Sequence, residues 1–510
     1  MYLDISSLHK NGRTYKRVLL RESYREQAKV KKRTIANLSA CSEREIAAIK
    51  LALRHKSDLS ALASVTESLT LRQGSSIGAV WLVYKIASRL GISVALGNSR
   101  QGKLALWQVI ARVIDQGSRL SAVRFGANHA ACDVLDLETF HEEHLYANLD
   151  WLNENQEEIE NKLARKLHGK NPIELFLYDV TSSYLEGEKN ELAAFGYNRD
   201  KKRGKQQIVI GLLCDPAGTP LSIEVFPGNT QDTKTFGRQV AKVAKRFGGG
   251  AVTFVGDRGM IKGPQIEELQ EYHDHEFHYI TAITKPQVEK LLREDKIQIG
   301  LFDQPLGELQ LQDGLRLILR RNPIRAEEIK HSRGRKYQAL LTFIEEQNSY
   351  LQEHARAKVG VAKRKIQAKS KQLKIDRWTI VSSKGRTMSL SKDTEQLQEV
   401  EKLDGCYVLK TDLPADKAPK EVVHDRYKDL ALVEWAFRTS KTVELEMRPV
   451  NVILESRTRG HAFVVMMAYW VVKELSSLWA GLDVTVQEGL KELDALCSTE
   501  VSIVFRNPVS

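Results

Sequence analysis

Apolar and polar residues change their spacing near Asn171-Pro172, and this change divides the chain into two parts. In the first part, from Glu43 to about Leu167, the spacing is mostly helical. Six apolar residues recur there at intervals of three, four and seven positions: Leu145, Leu149, Leu152, Ile159, Leu163 and Leu167. They predict one apolar helical stripe, which packs either on its own domain or on a second copy of the chain.

Two features of the first part bear on what it binds. Residues 107–116, Gly117 and residues 121–125 have the pattern of a helix, a glycine turn and a second helix. This pattern fits a helix-turn-helix that reads DNA, and it also fits an ordinary pair of packed helices. Nearer the start, a β-like stretch over residues 15–22 is followed by a basic segment over residues 29–33.

The second part opens with short apolar runs. Residues 173–178, 207–214 and 221–226 are β-like, and Asp215-Pro216-Ala217-Gly218 predicts a turn between the last two. The pattern then predicts, in order, a helix over 233–247, a strand over 251–255, a helix over 264–272 and a strand over 277–283. Three strands in hairpin order, followed by helix, strand, helix and strand, are the layout of an RNase H-like α/β domain.

The pattern changes again after about residue 285. Further strands are predicted over 309–311, 315–321 and 336–344, and a very basic stretch covers residues 356–374. A β-like run over 406–409, a helix over 425–441 and an apolar helix over 459–478 then follow. The last thirty residues are expected to be peripheral.

Composition narrows the class of partner. The chain has 77 Lys and Arg against 65 Asp and Glu, a net charge of +12, which favours a polyanion such as a phosphate backbone. Its 5 cysteines are too far apart for a zinc knuckle or a disulfide framework, so reduced thiols in a cytosol are expected. No signal peptide is visible, and the apolar run 462–472 is shorter than the ~20 residues that span a bilayer.

Two aspartates have positions that suit chemistry. Asp179 follows the run 173–178, and Asp257 follows the run 251–255. A carboxylate at the end of a buried strand lies where ligands and metals gather, although each residue alone also fits a helix cap or a turn. In the RNase H-like order the first and fourth strands are neighbours, which brings both aspartates to one point. With a third carboxylate they would suit two Mg²⁺ ions and phosphodiester chemistry.

The third carboxylate is sought on the helix predicted over 425–441. Tyr427, Glu434 and Lys441 are seven residues apart there and share one face, since the drift is only ~20° per step. Arg438 follows Glu434 at i+4, so a solvated face with an intrahelical ion pair is the alternative interpretation.

A specific resemblance joins these pieces. The chain resembles the insertion-sequence DDE transposases, and most closely their IS-four superfamily, in YDVTSSY around Asp179, in QQIVIGLLCDPAGTPLSIEVFPGNTQDTKTF, in VGDRGM around Asp257 and in YKDLALVEWAFRTSK with ELEMRPV after it. The resemblance extends from about residue 15 to residue 475. It implies that Asp179, Asp257 and Glu434 are the catalytic, metal-holding triad, with residues 286–405 as an insertion. The arginine of the family's signature helix is replaced by Leu430, which leaves its role to Arg426 or Arg438.

The resulting expectation is an α/β fold. An RNase H-like catalytic core (171–285 and 406–480) is interrupted by a β-rich insertion domain (286–405). A β-containing basic segment (1–60) and a mostly helical DNA-end-binding region (61–170) precede it, and a tail (481–510) ends the chain. DNA contacts are expected from Tyr427, Lys441, Arg438, Arg426, Arg258, Arg203 and Lys205.

The function that the resemblance implies is metal-dependent transposition. The enzyme would cleave DNA at terminal inverted repeats and transfer the 3′-hydroxyl end into target DNA. Mg²⁺ is the expected cofactor, with Mn²⁺ as a substitute, and the partners are double-stranded DNA and a second copy of the chain in a synaptic homodimer. We expect a prokaryotic, cytoplasmic, nucleoid-associated protein with no membrane contact. The alternatives are an RNase H-like nuclease without strand transfer and a catalytically inactive, transposase-derived DNA-binding protein.

Overall fold

The computed structural model describes residues 1–10, 13–26, 29–54, 56, 69–200, 202–247, 251–312, 314–442, 445–448 and 450–503. Parts of the predicted helical region (57–68) and of the predicted tail (504–510) lie outside these residues. The chain forms two compact units. The first consists of Met1–Ser76 and Leu496–Ser510, and the second of Ile77–Ala495.

The first unit is built mainly from antiparallel strands. Its elements are β1 (Tyr2–Lys10), β2 (Arg13–Glu26), β3 (Lys29–Asn37), α1 (Glu43–Arg54), β4 (Leu69–Ser76) and β15 (Cys497–Ile503). Strands β1, β2 and β3 form one sheet in chain order, and β4 pairs with β15. The β-like stretch predicted over 15–22 is confirmed within β2, where Val18 and Leu19 are buried.

The second unit begins with a group of packed helices: α2 (Gly78–Arg89), α3 (Ile92–Leu96), α4 (Arg100–Ile114), α5 (Arg119–Asn128), α6 (Ala131–Leu135), α7 (Glu142–Glu154) and α8 (Gln156–His168). The predicted leucine stripe lies on two helices, α7 and α8, and it is buried within its own unit except for Leu167. The predicted helix pair is α4 and α5. Trp107 of α4 is fully buried, and its Nε1 donates a hydrogen bond to the Ala122 carbonyl at 3.1 Å.

An eight-stranded sheet forms the middle layer of this unit. Its strands are β5 (Leu175–Tyr184), β6 (Gln207–Cys214), β7 (Pro220–Pro227), β8 (Ala251–Gly256), β9 (Glu276–Ala282), β10 (Gly307–Gln310), β11 (Arg316–Arg321) and β14 (Cys406–Thr411). Their order is β10-β11-β14-β9-β8-β5-β6-β7. The pairs β5–β8 and β8–β9 are parallel, and β5–β6 and β6–β7 are antiparallel, so the predicted strand hairpins and the predicted neighbours β5 and β8 are confirmed.

The central sheet is buried on both faces, and strand β6 shows this most clearly. All eight residues of β6 are buried. Ile208, Ile210 and Leu212 belong to one apolar cluster, while Val209 and Leu213 belong to another. Because successive side chains of a strand point to opposite faces, the sheet separates two cores.

The remaining helices cover the sheet and extend the unit: α9 (Asp232–Arg246), α10 (Gly263–Gln270), α11 (Lys285–Arg293), α12 (Pro323–Glu353), α13 (Val359–Leu373), α14 (Thr394–Glu401), α15 (Lys420–Lys428), α16 (Leu430–Lys441), α17 (Glu455–Leu478) and α18 (Val486–Asp494), with a short 3₁₀ helix at Ile299–Asp303. Helix α17 packs on α7, α4 and β7, and most of its residues are buried. No helix among the described residues is long and apolar enough to cross a membrane.

The structure corrects the prediction for residues 286–405. The strand predicted over 336–344 is wrong, because these residues lie within the 31-residue helix α12. Leu340 and Ile344 of α12 pack with Ile366 and Trp378 in a separate apolar cluster, which also includes Met388 of the hairpin β12 (Thr379–Lys384) and β13 (Thr387–Lys392). Helix therefore exceeds strand in this segment, and β10 and β11 belong to the central sheet.

The crossing of α17 and α7 gives a test of the packing. Gly460 of α17 lies against the backbone of α7, since a Cβ built on it would lie 2.2 Å from the Leu149 carbonyl oxygen. We predict that Gly460→Ala lowers the free energy of unfolding by about 1–3 kcal/mol through overpacking. The matched control is Gly334→Ala, in the middle of α12, where a Cβ meets nothing within 4 Å. This change should instead stabilise the helix by about 0.5–1 kcal/mol.

Denaturant unfolding of the whole chain measures both variants. A Gly460→Ala variant as stable as the wild type would contradict the close contact between the two helices.

Candidate active site

The register of two parallel strands brings Asp179 and Asp257 together. Strands β5 and β8 pair from Leu175↔Thr253 to Tyr178↔Gly256. Asp179 and Asp257 are the residues that follow this last pair, so they lie side by side where β8 ends. The prediction that both aspartates reach one point of the sheet is confirmed in this register.

Asp179 does not end its strand, contrary to the prediction. Strand β5 continues to Tyr184, because its pairing with β6 runs on to Tyr184↔Gln207 after the pairing with β8 has stopped. The polar residues Thr181, Ser182 and Ser183 are buried in this extension. Asp179 therefore lies in mid-strand, and Asp257 lies just beyond the end of β8.

The third carboxylate comes from the helix that covers this face of the sheet. Asp179 shares a face of β5 with Leu177. Leu177 packs in the same apolar cluster as Val433, Ala436 and Phe437 of α16. Those three buried residues fix α16 against the sheet. Glu434 is exposed next to Val433, and it lines the same cavity as the two aspartates.

The helix predicted over 425–441 is interrupted at Asp429. Tyr427 belongs to α15, whereas Glu434 and Lys441 belong to α16. The spacing of seven therefore describes a continuous helical face only between Glu434 and Lys441. Tyr427 nevertheless lines the cavity with Glu434.

The cavity has a volume of about 540 Å³. Its charged and hydroxylated lining residues are Asp179, Asp257, Glu434, Arg258, Lys285, Lys428, Tyr407 and Tyr427. Three carboxylates and three cationic side chains therefore share one opening. An arrangement of this kind offers hard oxygen ligands next to groups that attract anions.

Burial and like charge perturb two of these groups. Burial, reinforced by the negative charges of Asp257 and Glu434, raises the pKa of Asp179 from 3.8 to about 7, although the Val180 amide donates a hydrogen bond to its Oδ1 at 2.8 Å. Burial and the neighbouring Asp257 also raise the pKa of the Tyr427 hydroxyl, which therefore stays protonated at neutral pH. The site thus favours positive charge near Asp179 and keeps a hydroxyl donor at Tyr427.

Lys441 takes a different position from the one predicted. It is buried beneath the site, and its Nζ donates hydrogen bonds to Thr181 Oγ1 at 2.7 Å and to Asp200 Oδ1 at 3.1 Å. Arg448 Nη1 donates to the same Asp200 oxygen at 2.5 Å. Burial lowers the pKa of Lys441, against the opposing effect of Asp200. In this structure Lys441 fastens α16 to β5 rather than facing the cavity.

The other predicted DNA contacts are divided between the cavity and the surface. Arg258 lines the cavity. Arg426 forms an ion pair with Asp429 at 3.0 Å, and Arg438 and Arg203 are exposed outside the lining. Lys205 pairs with Glu186 at 2.7 Å.

Sequence reasoning missed several lining residues. Lys285, Asn322 and Tyr407 come from the segment between Asp257 and Glu434, and Lys428 immediately follows Tyr427. No local pattern marks Asn322 and Tyr407, because the pairing of β14 with β9 and β11 brings them to the site. Lys285 follows β9, which pairs in parallel with β8. Among the described residues, no three His, Cys, Asp or Glu side chains are grouped closely enough to hold one metal ion.

The raised pKa of Asp179 predicts a dependence of stability on pH. The folded protein holds this proton more tightly than the unfolded chain does. The stabilisation is therefore fully present below pH 3.8 and is lost as the pH rises through about 7. Asp179→Asn removes the charge and should raise the free energy of unfolding at pH 8 by up to about 4 kcal/mol, from ~1.4 kcal/mol per pH unit.

Denaturant unfolding in the presence of a chelator, at pH 5 and at pH 8, measures this difference. The gain should be less than about half as large at pH 5, where the folded wild type is still protonated but the unfolded chain is already mostly ionised. An equal gain at both values would contradict the pKa assigned to Asp179.

Comparison with known families agrees with this geometry. Residues 3–64 match the family described as IS1634 family transposase, N-terminal domain. Residues 170–471 match the transposase DDE domain family, and this second match covers more than half of the chain. No curated protein matches the chain. The protein therefore belongs to the insertion-sequence transposases that carry a DDE domain.

Proposed function

We propose that the protein cuts DNA at the terminal inverted repeats of its element and joins the freed 3′-hydroxyl end to target DNA. The observation that supports this proposal most directly is that Asp179, Asp257 and Glu434 all line the same cavity. The chain belongs to a transposase family, and transposases act on DNA. Three carboxylates that line one cavity suit metal-assisted chemistry on the phosphodiester bonds of DNA.

The fold supports the proposal in a second way. Strands β7-β6-β5-β8-β9 have the order and directions of an RNase H-like sheet, which we take as the catalytic core. Residues 286–405 would be the insertion within it, with α12, α13 and the β12–β13 hairpin as its separate part. This arrangement is also the reason for proposing the IS-four type.

The chemistry of the donor set fits a divalent metal, although the three carboxylates are not grouped closely enough in this structure to share one ion. Three carboxylates supply hard oxygen ligands. Burial and, to a smaller extent, the charges of Asp257 and Glu434 raise the pKa of Asp179, and a bound cation would offset both effects. We propose that Asp179, Asp257 and Glu434 hold Mg²⁺, or Mn²⁺ in its place. When bound, the metal would stabilise negative charge on the phosphate and favour deprotonation of the attacking hydroxyl or water.

The chain's own residues would orient the DNA. Arg258, Lys285 and Lys428 line the cavity and would balance the charge of the scissile phosphate and its neighbours. The Tyr427 hydroxyl remains a hydrogen-bond donor, since its pKa is raised, and would bind a phosphate oxygen.

Two displacements at phosphorus complete the reaction. In the first, a water oxygen bonds to phosphorus while the bond from phosphorus to the 3′-oxygen breaks, which leaves a 3′-hydroxyl and a 5′-phosphate. In the second, that 3′-hydroxyl attacks a target phosphodiester, loses its proton and displaces another 3′-oxygen. Positioning and charge supply the catalysis in both steps.

The partners follow from this reaction. Two element ends must be held together, so we propose a homodimer in the synaptic complex, located in a prokaryotic cytoplasm at the nucleoid. The two rival functions use the same DNA but yield different products. A nuclease would cut without joining, and an inactive descendant would bind without cutting.

A cleavage and joining assay tests the proposal. With Mg²⁺ and a labelled duplex that carries the inverted repeat flanking the gene, the wild type should yield both cut and joined products. Asp257→Asn and Glu434→Gln should each reduce both products by more than about 100-fold, because metal-held charge is worth several kcal/mol and ~1.4 kcal/mol is a factor of ten.

Glu421→Gln is the matched control, because Glu421 is an exposed carboxylate of α15 outside the cavity lining. It should leave both products unchanged. Joined product from Glu434→Gln at the wild-type rate would exclude Glu434 from the site.

A further inference from the structure

A two-stranded ribbon in the first unit is exposed on both faces. We use the name ribbon for residues 21–26 of β2 and residues 29–34 of β3, which pair from Arg21↔Thr34 to Glu26↔Lys29. None of the described side chains in the ribbon is buried, and Val30 is 62% exposed. A two-stranded hairpin without an apolar face is at best marginally stable in water. The ribbon therefore has the character of a surface that gains stability from a partner.

The register gives the two faces different charge. Residues directly opposite each other share a face. One face, which we call the paired face, carries Glu22, Tyr24, Glu26, Lys29, Lys31 and Arg33. The opposite face, which we call the open face, carries Arg21, Ser23, Arg25, Val30, Lys32 and Thr34. Both carboxylates of the ribbon thus lie on the paired face.

The carboxylates of the paired face are already engaged. Arg33 forms an ion pair with Glu22 at 2.7 Å, and Lys31 forms one with Glu26 at 2.5 Å. The Arg33 guanidinium also lies over the Tyr24 ring at 5.6 Å. These contacts engage two of the three cations of the paired face, and the third, Lys29, is exposed, so the net charge of this face is +1 against +3 on the open face.

The open face differs in this respect. Arg21 forms an ion pair with Asp4 of β1 at 2.6 Å. Arg25 and Lys32 are exposed, and no ion pair joins either of them to a carboxylate among the residues that the structure describes. Two cations therefore extend from the open face with no internal partner.

The sequence around the ribbon explains what such a face would attract. Residues 1–54 contain 13 Lys and Arg against 5 Asp and Glu, which gives +8 out of the +12 of the whole chain. Two thirds of the net charge thus lies in about a tenth of the sequence. A concentration of this size is the electrostatic mark of a nucleic-acid contact.

We propose that the ribbon inserts its open face into the major groove of duplex DNA, with Arg25 and Lys32 contacting phosphates and base edges. Paired strands lie about 4.8 Å apart, and the major groove is about 12 Å wide, so a two-stranded ribbon fits it. Cationic side chains there meet the N7 and O6 acceptors of guanine. The inference rests on the proposed function for the identity of the DNA, which would be the element end. It assigns a DNA-reading role to the first unit in addition to the helical region considered from the sequence.

Salt-dependent binding by the full chain tests the inference. The affinity for a labelled duplex carrying the flanking inverted repeat is measured by fluorescence anisotropy over a series of salt concentrations, without divalent metal. Arg25→Ala and Lys32→Ala should each reduce the slope of log K against log salt by about 0.9, because one phosphate contact is lost. Arg25→Ala should also weaken binding at least about fivefold at constant salt.

Lys31→Ala is the matched control, since it removes the same charge from the paired face. It should change the slope by less than half as much. Dimethyl sulfate protection of guanine N7 adds a readout of the groove, and the protection given by the wild type should be lost with Arg25→Ala. All four proteins should have the same unfolding midpoint, because the substituted side chains are exposed.

The outcomes separate this inference from the proposed function. Unchanged slope and protection in Arg25→Ala and Lys32→Ala, with a wild type that cuts and joins, would overturn the inference alone. Equal losses in Lys31→Ala would also overturn it, because they would reflect net charge rather than one face. A wild type that neither binds nor cuts the repeat would overturn both.

Discussion

The parallel pairing of β5 with β8 is the constraint on which the site depends. Its last pair, Tyr178↔Gly256, makes Asp179 and Asp257 neighbours in the sheet. Burial, reinforced by the repulsion between the two carboxylates, raises the pKa of Asp179 to about 7. The fold maintains this unfavourable arrangement because the burial of apolar residues on both faces of the sheet contributes more free energy than the arrangement costs. A buried carboxyl with a perturbed pKa is characteristic of functional sites.

Helix α16 completes the arrangement, and a buried polar network holds it in place. Lys441 at its end is joined to Thr181 of β5 and to Asp200, which also accepts a hydrogen bond from Arg448. Glu434 lies two helical turns earlier on the same helix and reaches the cavity. Lys441, for which the sequence predicted a DNA contact, is buried in this structure and donates its hydrogen bonds within the protein.

Much of the core could be predicted from the sequence because its strands are short apolar runs separated by turns. The strands β6 and β8 and the helix α9 agree closely with the pattern. The pattern predicts a strand over residues 336–344, whereas the structure has helix α12 there. A short run of apolar and aromatic residues is compatible with either element. The sequence does not reveal that β5 continues past Asp179, because Ser182 and Ser183 are more typical of loops than of a buried strand. The contact of Tyr407 with the site could not be predicted, because no local spacing reveals a contact made by a distant segment.

The central claim of the proposal is that Asp179, Asp257 and Glu434 together hold the catalytic divalent metal. Electron paramagnetic resonance of free Mn²⁺, titrated into the whole protein at pH 8, tests it without any assumption about the DNA. The account predicts that the wild type binds Mn²⁺ and that Asp257→Asn and Glu434→Gln each weaken this binding at least about tenfold, a loss of ~1.4 kcal/mol. Glu421→Gln should bind as the wild type does. Equal Mn²⁺ binding by all four proteins would contradict the account.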